Sequence, residues 1–296
     1  ENPNWAEGFP VRGTPYTVSA AGDRLEPTSE NLIPNGGIEE HTGDQVNGWS
    51  WNDPTTGVDT EVFHSGGASF RVRLDGENAA RGGIAMTLTP YRQYEVRFWA
   101  KTRDVAFLPG DDFWSSFWGV RVRGSGEGGA GWLHYNQFVA ESTQDWTEFS
   151  FVFHSLGFEA ATVYVGAMPW EGQGNTGTIW IDDLSIRETG LVNLIRRDDA
   201  PLVARKVGGE VLVEGVDFDP IVDPLMGVAA GYPGTYDYGH AAPVITLPAD
   251  SRLQAGDRVT LDYAVAVMGQ GSSISVSMCS DEVLAAQGAR FDRIRA

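Results

Sequence analysis

Ten tryptophans in a chain of 296 residues are more than its cores need, and they are the side chains best suited to grip a ligand. An indole offers a flat apolar face with one donor at its rim, which suits a partner that stacks, such as a sugar ring. Trp99 stands in the run Glu95, Arg97, Trp99, Lys101, which alternates with Tyr94, Val96, Phe98 and Ala100. Alternate residues of a strand face opposite ways. Trp99 therefore falls on the polar face, either as a platform or beneath a loop. In Ser116 to Arg123 the same rule sets Phe117, Arg121 and Arg123 against Trp118, Val120 and Val122, so either Phe117 or Trp118 shares a groove with Trp99. Trp132, His134 and Asn136 alternate with Leu133, Tyr135 and Gln137, and either set mixes rings with hydrogen-bonding groups. Trp170 follows Pro169 in a Gly-rich segment where nothing local buries it, and Trp49 and Trp51 fit either a core or a surface role. The candidate ligand-binding set is Trp99, Arg97, Phe117, Trp118, Trp132, His134, Tyr135, Gln137 and Trp170. In it, rings would cover apolar CH patches while Arg, His and Gln meet hydroxyls.

Residues for bond-breaking chemistry are harder to find. Glycosidase carboxylates face each other about 5 to 9.5 Å apart. The adjacent pairs Glu39-Glu40, Asp111-Asp112 and Asp182-Asp183 cannot do that within one strand. The five histidines (41, 64, 134, 154 and 240) lack metal-ligand spacing. There is no Gly-x-Ser-x-Gly. Gly124 to Gly129 fits a dinucleotide-loop pattern in form, but it lies between strands with no helix after it.

The elements that must hold these residues are strands. Phe70, Val72 and Leu74, then Ile84, Met86 and Leu88, then Phe149, Phe151 and Phe153, Val163 and Val165, and Ile179 and Ile181 each alternate with other residues. Short period-2 runs bounded by Gly and Asp clusters signal half-buried antiparallel sheet. The expected fold class is all-β: a jelly-roll β-sandwich followed by a second small β-sandwich-like domain. Residues 1–30, rich in Pro, Gly and Ser/Thr, read as an arm or linker; 31–188 as the jelly roll; 189–280 as the second domain. Residues 281–296 have helical composition and read as the start of a helix or a linker to a C-terminal catalytic domain. The net charge of -19 disfavours nucleic acid, whose phosphates need Lys and Arg, and mildly disfavours sulfated or uronate-rich polymers. No run of about 18 apolar residues marks a membrane span. A single Cys279 excludes an internal disulfide.

Five segments carry a resemblance. Asn31-Leu-Ile-Pro-Asn-Gly-Gly-Ile-Glu39 with Gly48-Trp49, His64 to Val72, Tyr94 to Lys101, Asp145 to Phe153 and Gly177 to Ile186 follow one another in order. Over residues 31 to 187 the chain resembles carbohydrate-binding modules of families 4 and 9, with Ile38 where the family usually has Phe. The stretch Leu194 to Tyr263 resembles a β module that precedes glycoside-hydrolase-like barrels. The resemblance implies a jelly roll that binds glycan on one sheet. It also implies a structural calcium at Glu39, Asp182 and Asp183, with carbonyls near Gly37 and the Ser65–Gly67 turn. The expected function is non-catalytic binding of a neutral polysaccharide such as β-glucan or xylan, targeting a covalently attached catalytic domain. The expected protein is a bacterial monomer, secreted or periplasmic, without nucleic-acid or membrane partners. The alternatives are a β-sandwich lyase or hydrolase, or an accessory module that serves only in packing.

Overall fold

The computed structural model describes residues 9–76, 78–106, 118–126, 129–134, 142–167, 175–196, 200–223, 228–229, 232–233 and 241–265, with the backbone alone at 118, 228, 229, 232 and 233. In chain order the strands are β1 (Phe9–Val18), β2 (Arg24–Pro27), β3 (His41–Thr42), β4 (Gln45–Val46), β5 (Trp51–Asn52), β6 (Thr56–Asp59) and β7 (Ser69–Asp75). Then come β8 (Ala80–Thr87), β9 (Gln93–Ala106), β10 (Trp118–Gly126), β11 (Gly129–His134), β12 (Gln144–His154), β13 (Ala160–Ala167) and β14 (Thr176–Thr189). The last are β15 (Leu194–Ile195), β16 (Val203–Lys206), β17 (Val211–Leu212), β18 (Val228–Ala229), β19 (Tyr232–Pro233), β20 (Ile245–Thr246) and β21 (Arg258–Val265). The fold is all-β, as the alternation predicts.

Two five-stranded sheets, β11-β10-β13-β8-β5 and β12-β9-β14-β7-β6, face each other across one core. The period-2 runs supply that core from both sides: Ile84, Val120, Val122, Val163 and Val165 from the first, Phe70, Phe98, Phe151, Ile179 and Ile181 from the second, all buried. The alternate residues of the same strands form two outer faces, and these are where a ligand could be met.

Seven of the remaining strands make a third sheet of order β17-β16-β21-β1-β2-β20, with β15 also on β21, and β3-β4 and β18-β19 are separate two-stranded pairs. Here the structure differs from the sequence expectation. Residues 9–18 and 24–27, read as an arm, are strands of this sheet, and β1 pairs antiparallel with β21 from Phe9↔Val265 to Thr17↔Arg258. A register shift between Val11 and Thr14 resets the alternation midway, so no continuous period-2 run marks the strand. The sandwich is thus inserted between β2 and β15. Its two crossing segments are side by side, Leu32 N donating to Ile186 O at 2.8 Å.

Sheet and sandwich meet at His154, which is 3% exposed. Its Nε2 lies 3.0 Å from the Pro10 carbonyl, to which it must donate. Its Nδ1 accepts from Leu156 N at 2.9 Å. Both nitrogens are therefore committed to the neutral ring, and burial pushes its pKa down to about 4. An unfolded imidazole takes its proton near pH 6.5, so stability present at neutral pH is lost as pH falls from about 6.5 towards 4. Buried His134 is lowered in the same direction by burial. Asp182, pushed up to about 6 by burial, opposes them as pH falls below 6. Urea unfolding at pH 7.5 and 5.0 separates the contributions. His154→Gln is expected to lose about 2 kcal/mol less than the unaltered chain on acidification. Equal losses would show that the ring can be protonated in place.

Candidate functional site

The outer face of β11-β10-β13-β8-β5 is built on small residues. Arg121, Tyr164, Gly83 and Trp51 form one cross-strand row, and Trp132, Arg123, Thr162 and Ala85 the next. Gly83 has no side chain because the Trp51 ring lies where its Cβ would be. Tyr164 stands between, its ring 6.1 Å from Trp51 and 5.7 Å from Trp132. The result is a continuous aromatic strip from one edge strand to the other. Arg81 lies 5.3 Å over Trp51 and is fixed by Asp53, whose Oδ2 accepts from its Nε at 2.9 Å and its backbone N at 3.1 Å. Arg123 lies 5.7 Å over Trp132. Trp132 is 37% exposed, the most open ring of the three, while Arg121 is buried beneath the face.

Of the candidate residues, Trp132 is the one whose side chain lies on this strip. His134 does not share its face, and this corrects the alternation argument. Trp132 pairs with Arg123 and His134 with Val122, so Leu133 is an extra residue on β11. A bulge of this kind breaks the period of two. Leu133 and His134 both turn inward, and the His134 ring stacks on Phe151 at 3.4 Å with no exposed surface. A residue so buried cannot meet a ligand at the surface. Trp118 opens β10 opposite Ala167, its side chain outside the described residues. Phe117, Tyr135, Gln137 and Trp170 also lie outside them. Trp51 and Tyr164 were the missing members. The Val163/Val165 alternation already turned Tyr164 outward, but its neighbours depend on which strands pair.

Trp99 and Arg97 are on the outer face of the other sheet. There the His64 ring covers Trp99, stacked at 3.9 Å and 12°, with Trp146 against its edge at 5.6 Å. His64 is held from behind by Asp183, Nδ1 to Oδ2 at 2.7 Å. Trp99 is thus beneath a loop, the second of the two placements its alternation allows. Arg97 pairs with Glu95 at 2.8 Å and with Glu148 at 3.6 Å. Trp180 is buried as framework, its Nε1 donating to Asp59 at 2.8 Å, and Trp49 packs on Phe70 in the core.

The residues expected to hold calcium border the 64–67 turn. A register shift between Asp182 and Ser185, with Asp183 at φ 49°, turns both aspartates to it instead of to opposite faces. Asp182 accepts from the backbone N–H of His64 at 2.8 Å, Ser65 at 3.2 Å and Asp183 at 2.7 Å. Asp183 accepts from Ser65 Oγ at 2.8 Å, and both Glu39 oxygens accept from Gly67 N at 3.0 Å. Gly37 flanks Asp183. Each carboxylate oxygen already meets an N–H or O–H donor. Among the described residues, no three His, Cys, Asp or Glu side chains gather as a metal site. As arranged they do not fit an ion that wants six to eight oxygens, and the calcium expectation rests on the sequence resemblance alone.

Among solved structures, the chain is similar to a family 16 carbohydrate-binding module at 19% identity, with 53% of this chain and 99% of that one covered and a TM-score of 0.36. It is similar to a CBM61 module solved with β-1,4-galactotriose at 16% identity, 54% and 99% coverage and a TM-score of 0.36. It is also similar to a cyclase from Fischerella sp. TAU at 17% identity, 55% and 98% coverage and a TM-score of 0.36. No family model and no curated protein matches it.

Proposed function

We propose that the outer face of β11-β10-β13-β8-β5 binds a polysaccharide chain, and that the protein performs no reaction of its own. It would hold a covalently attached carbohydrate-active domain on its substrate. The observation that carries this reading is the strip Trp51–Tyr164–Trp132 over a floor of Gly83, Ala85 and Thr162. A sugar ring is a patch of CH groups edged by hydroxyls. The strip offers apolar ring faces, and the arginines beside it offer fixed donors at their margins. In the same reading the chain is bacterial, secreted or periplasmic, and monomeric. Counted over the whole chain, the charge of -19 favours a neutral polymer such as β-glucan or xylan over an acidic one.

Affinity gel electrophoresis against soluble glucans, xylans, mannans, galactans and their acidic counterparts tests the role. Burying a ring face at roughly 25 cal/mol per Å² gives at most a few kcal/mol. Each 1.4 kcal/mol is about tenfold in affinity. Trp132→Ala and Tyr164→Ala are therefore each expected to weaken retardation about 10- to 100-fold. Trp99→Ala, under His64, is expected to leave it unchanged. Loss of binding in Trp99→Ala with full binding in Trp132→Ala would move the site to the other sheet.

A further inference from the structure

The glycan face differs in charge from the rest of the molecule. The chain has 40 Asp and Glu against 21 Lys and Arg. Yet β5, β8, β10, β11 and β13 contain Arg81, Arg121 and Arg123 and no carboxylate at all. The five strands of the facing sheet carry nine carboxylates against six Arg and Lys. Asp53, just past β5, is taken by Arg81. Arg123 is exposed and makes no ion pair among the described residues; its guanidinium lies over the Trp132 ring. Charges more than about 8 Å away are largely screened at physiological salt. The acidic groups on the far side of the sandwich therefore do little to the potential here, where Arg123 stands without a carboxylate partner among the described residues.

We infer that this face selects an acidic polysaccharide, one whose sugars carry a carboxylate. The inference rests on the glycan-binding role proposed above and names the class of chain it takes. A sugar stacked on Trp132 brings its ring substituents beside Arg123, the next residue in the same cross-strand row. A C6 carboxylate there accepts two parallel hydrogen bonds from the planar guanidinium. A neutral hydroxymethyl group at the same place accepts one weaker bond. The guanidinium, 5.7 Å from the Trp132 ring centre, is already held beside the strip, so little freedom is lost when the anion arrives. The absence of Asp and Glu from the five strands removes the like charges that would repel it.

The test compares matched polymers that differ at C6: β-1,4-mannan with β-1,4-polymannuronate, and β-1,4-glucan oligosaccharides with β-1,4-glucuronan. Dextran sulfate serves as a control for unspecific charge. In at least one pair the acidic member is expected to bind about tenfold more tightly at physiological salt, the equivalent of one charge-assisted contact. Arg123→Met should bring that pair within about threefold, and Arg123→Lys should fall between. Thermal melting would confirm that both variants fold. Tighter binding of the neutral members, or no effect of Arg123→Met, overturns the inference and leaves the glycan role standing. Equal retention by dextran sulfate also overturns it, since that is ion exchange. Binding of no polymer in any pair removes the glycan role itself.

Discussion

Removing residues 1–30 is expected to unfold the third sheet while the sandwich survives. β1 and β2 contribute Phe9, Val11, Val18 and Leu25 to the second core, each at most 4% exposed. At about 1.5–3 kcal/mol per buried side chain, their loss amounts to roughly 6–12 kcal/mol. That is comparable to the whole stability of a domain, about 5–15 kcal/mol. The deletion also strips the hydrogen-bond partner from one side of β21, the strand on which β1, β15 and β16 all pair. Limited proteolysis of a chain beginning at Asn31 should cut rapidly between residues 194 and 265 and leave 31–189 as a resistant fragment. Sustained protection of 194–265 would mean that the sheet stands without its first two strands.

The second large effect is expected at Gly36. A Cβ there would overlap the carbonyl oxygen of Leu184 and come within 3.0 Å of its carbon. Both are backbone atoms of β14 and cannot rotate away. Leu184 N also donates to Gly36 O at 2.9 Å, so separating the two segments breaks that bond as well. Ile33 and Ile38 on either side are buried in the sandwich core. Gly36→Ala should therefore cost about 3 kcal/mol or more, in the range set by severe core disruption. The adjacent Gly37 is the control. A Cβ on it would meet Asp183 and Glu39 side chains at 3.8 and 4.0 Å, ordinary contact, and Gly37→Ala should stay within about 0.5 kcal/mol. Similar shifts in the two urea midpoints would show that β14 yields at this point.

These expectations also mark what could be read from the sequence. The sandwich strands were legible because each is a short run with one apolar face, and the chemistry of alternation is local. β1 was not, because Pro10, Gly13 and Pro15 and the register shift after Val11 interrupt its pattern. Its partner, moreover, lies at the far end of the chain. At the site, the outward side of Tyr164 was legible, but its neighbours were not. Trp51 reaches it only because β5 pairs with β8 and β8 with β13, a fact of topology. His134 was misplaced by one extra residue on β11, and a bulge leaves no mark in an alternation count. The cover on Trp99 comes from His64, held by Asp183, 119 positions further along the chain.

That same distance between pairing partners has a consequence during synthesis. Gly13 N bonds Asp262 Oδ1 across 249 positions, and every β1–β21 contact spans a similar interval. A ribosome adding about 5–20 residues per second takes on the order of 10–50 s between making β1 and making the strand that covers it. The sandwich strands need no residue beyond Thr189 for their own pairing, so that core can close first, with Phe9, Val11, Tyr16 and Val18 still waiting. The order of events is therefore inner domain, then outer. A nascent chain stalled before residue 258 would hold a finished sandwich and an uncovered apolar strand, the form that a holding chaperone would be expected to recognise.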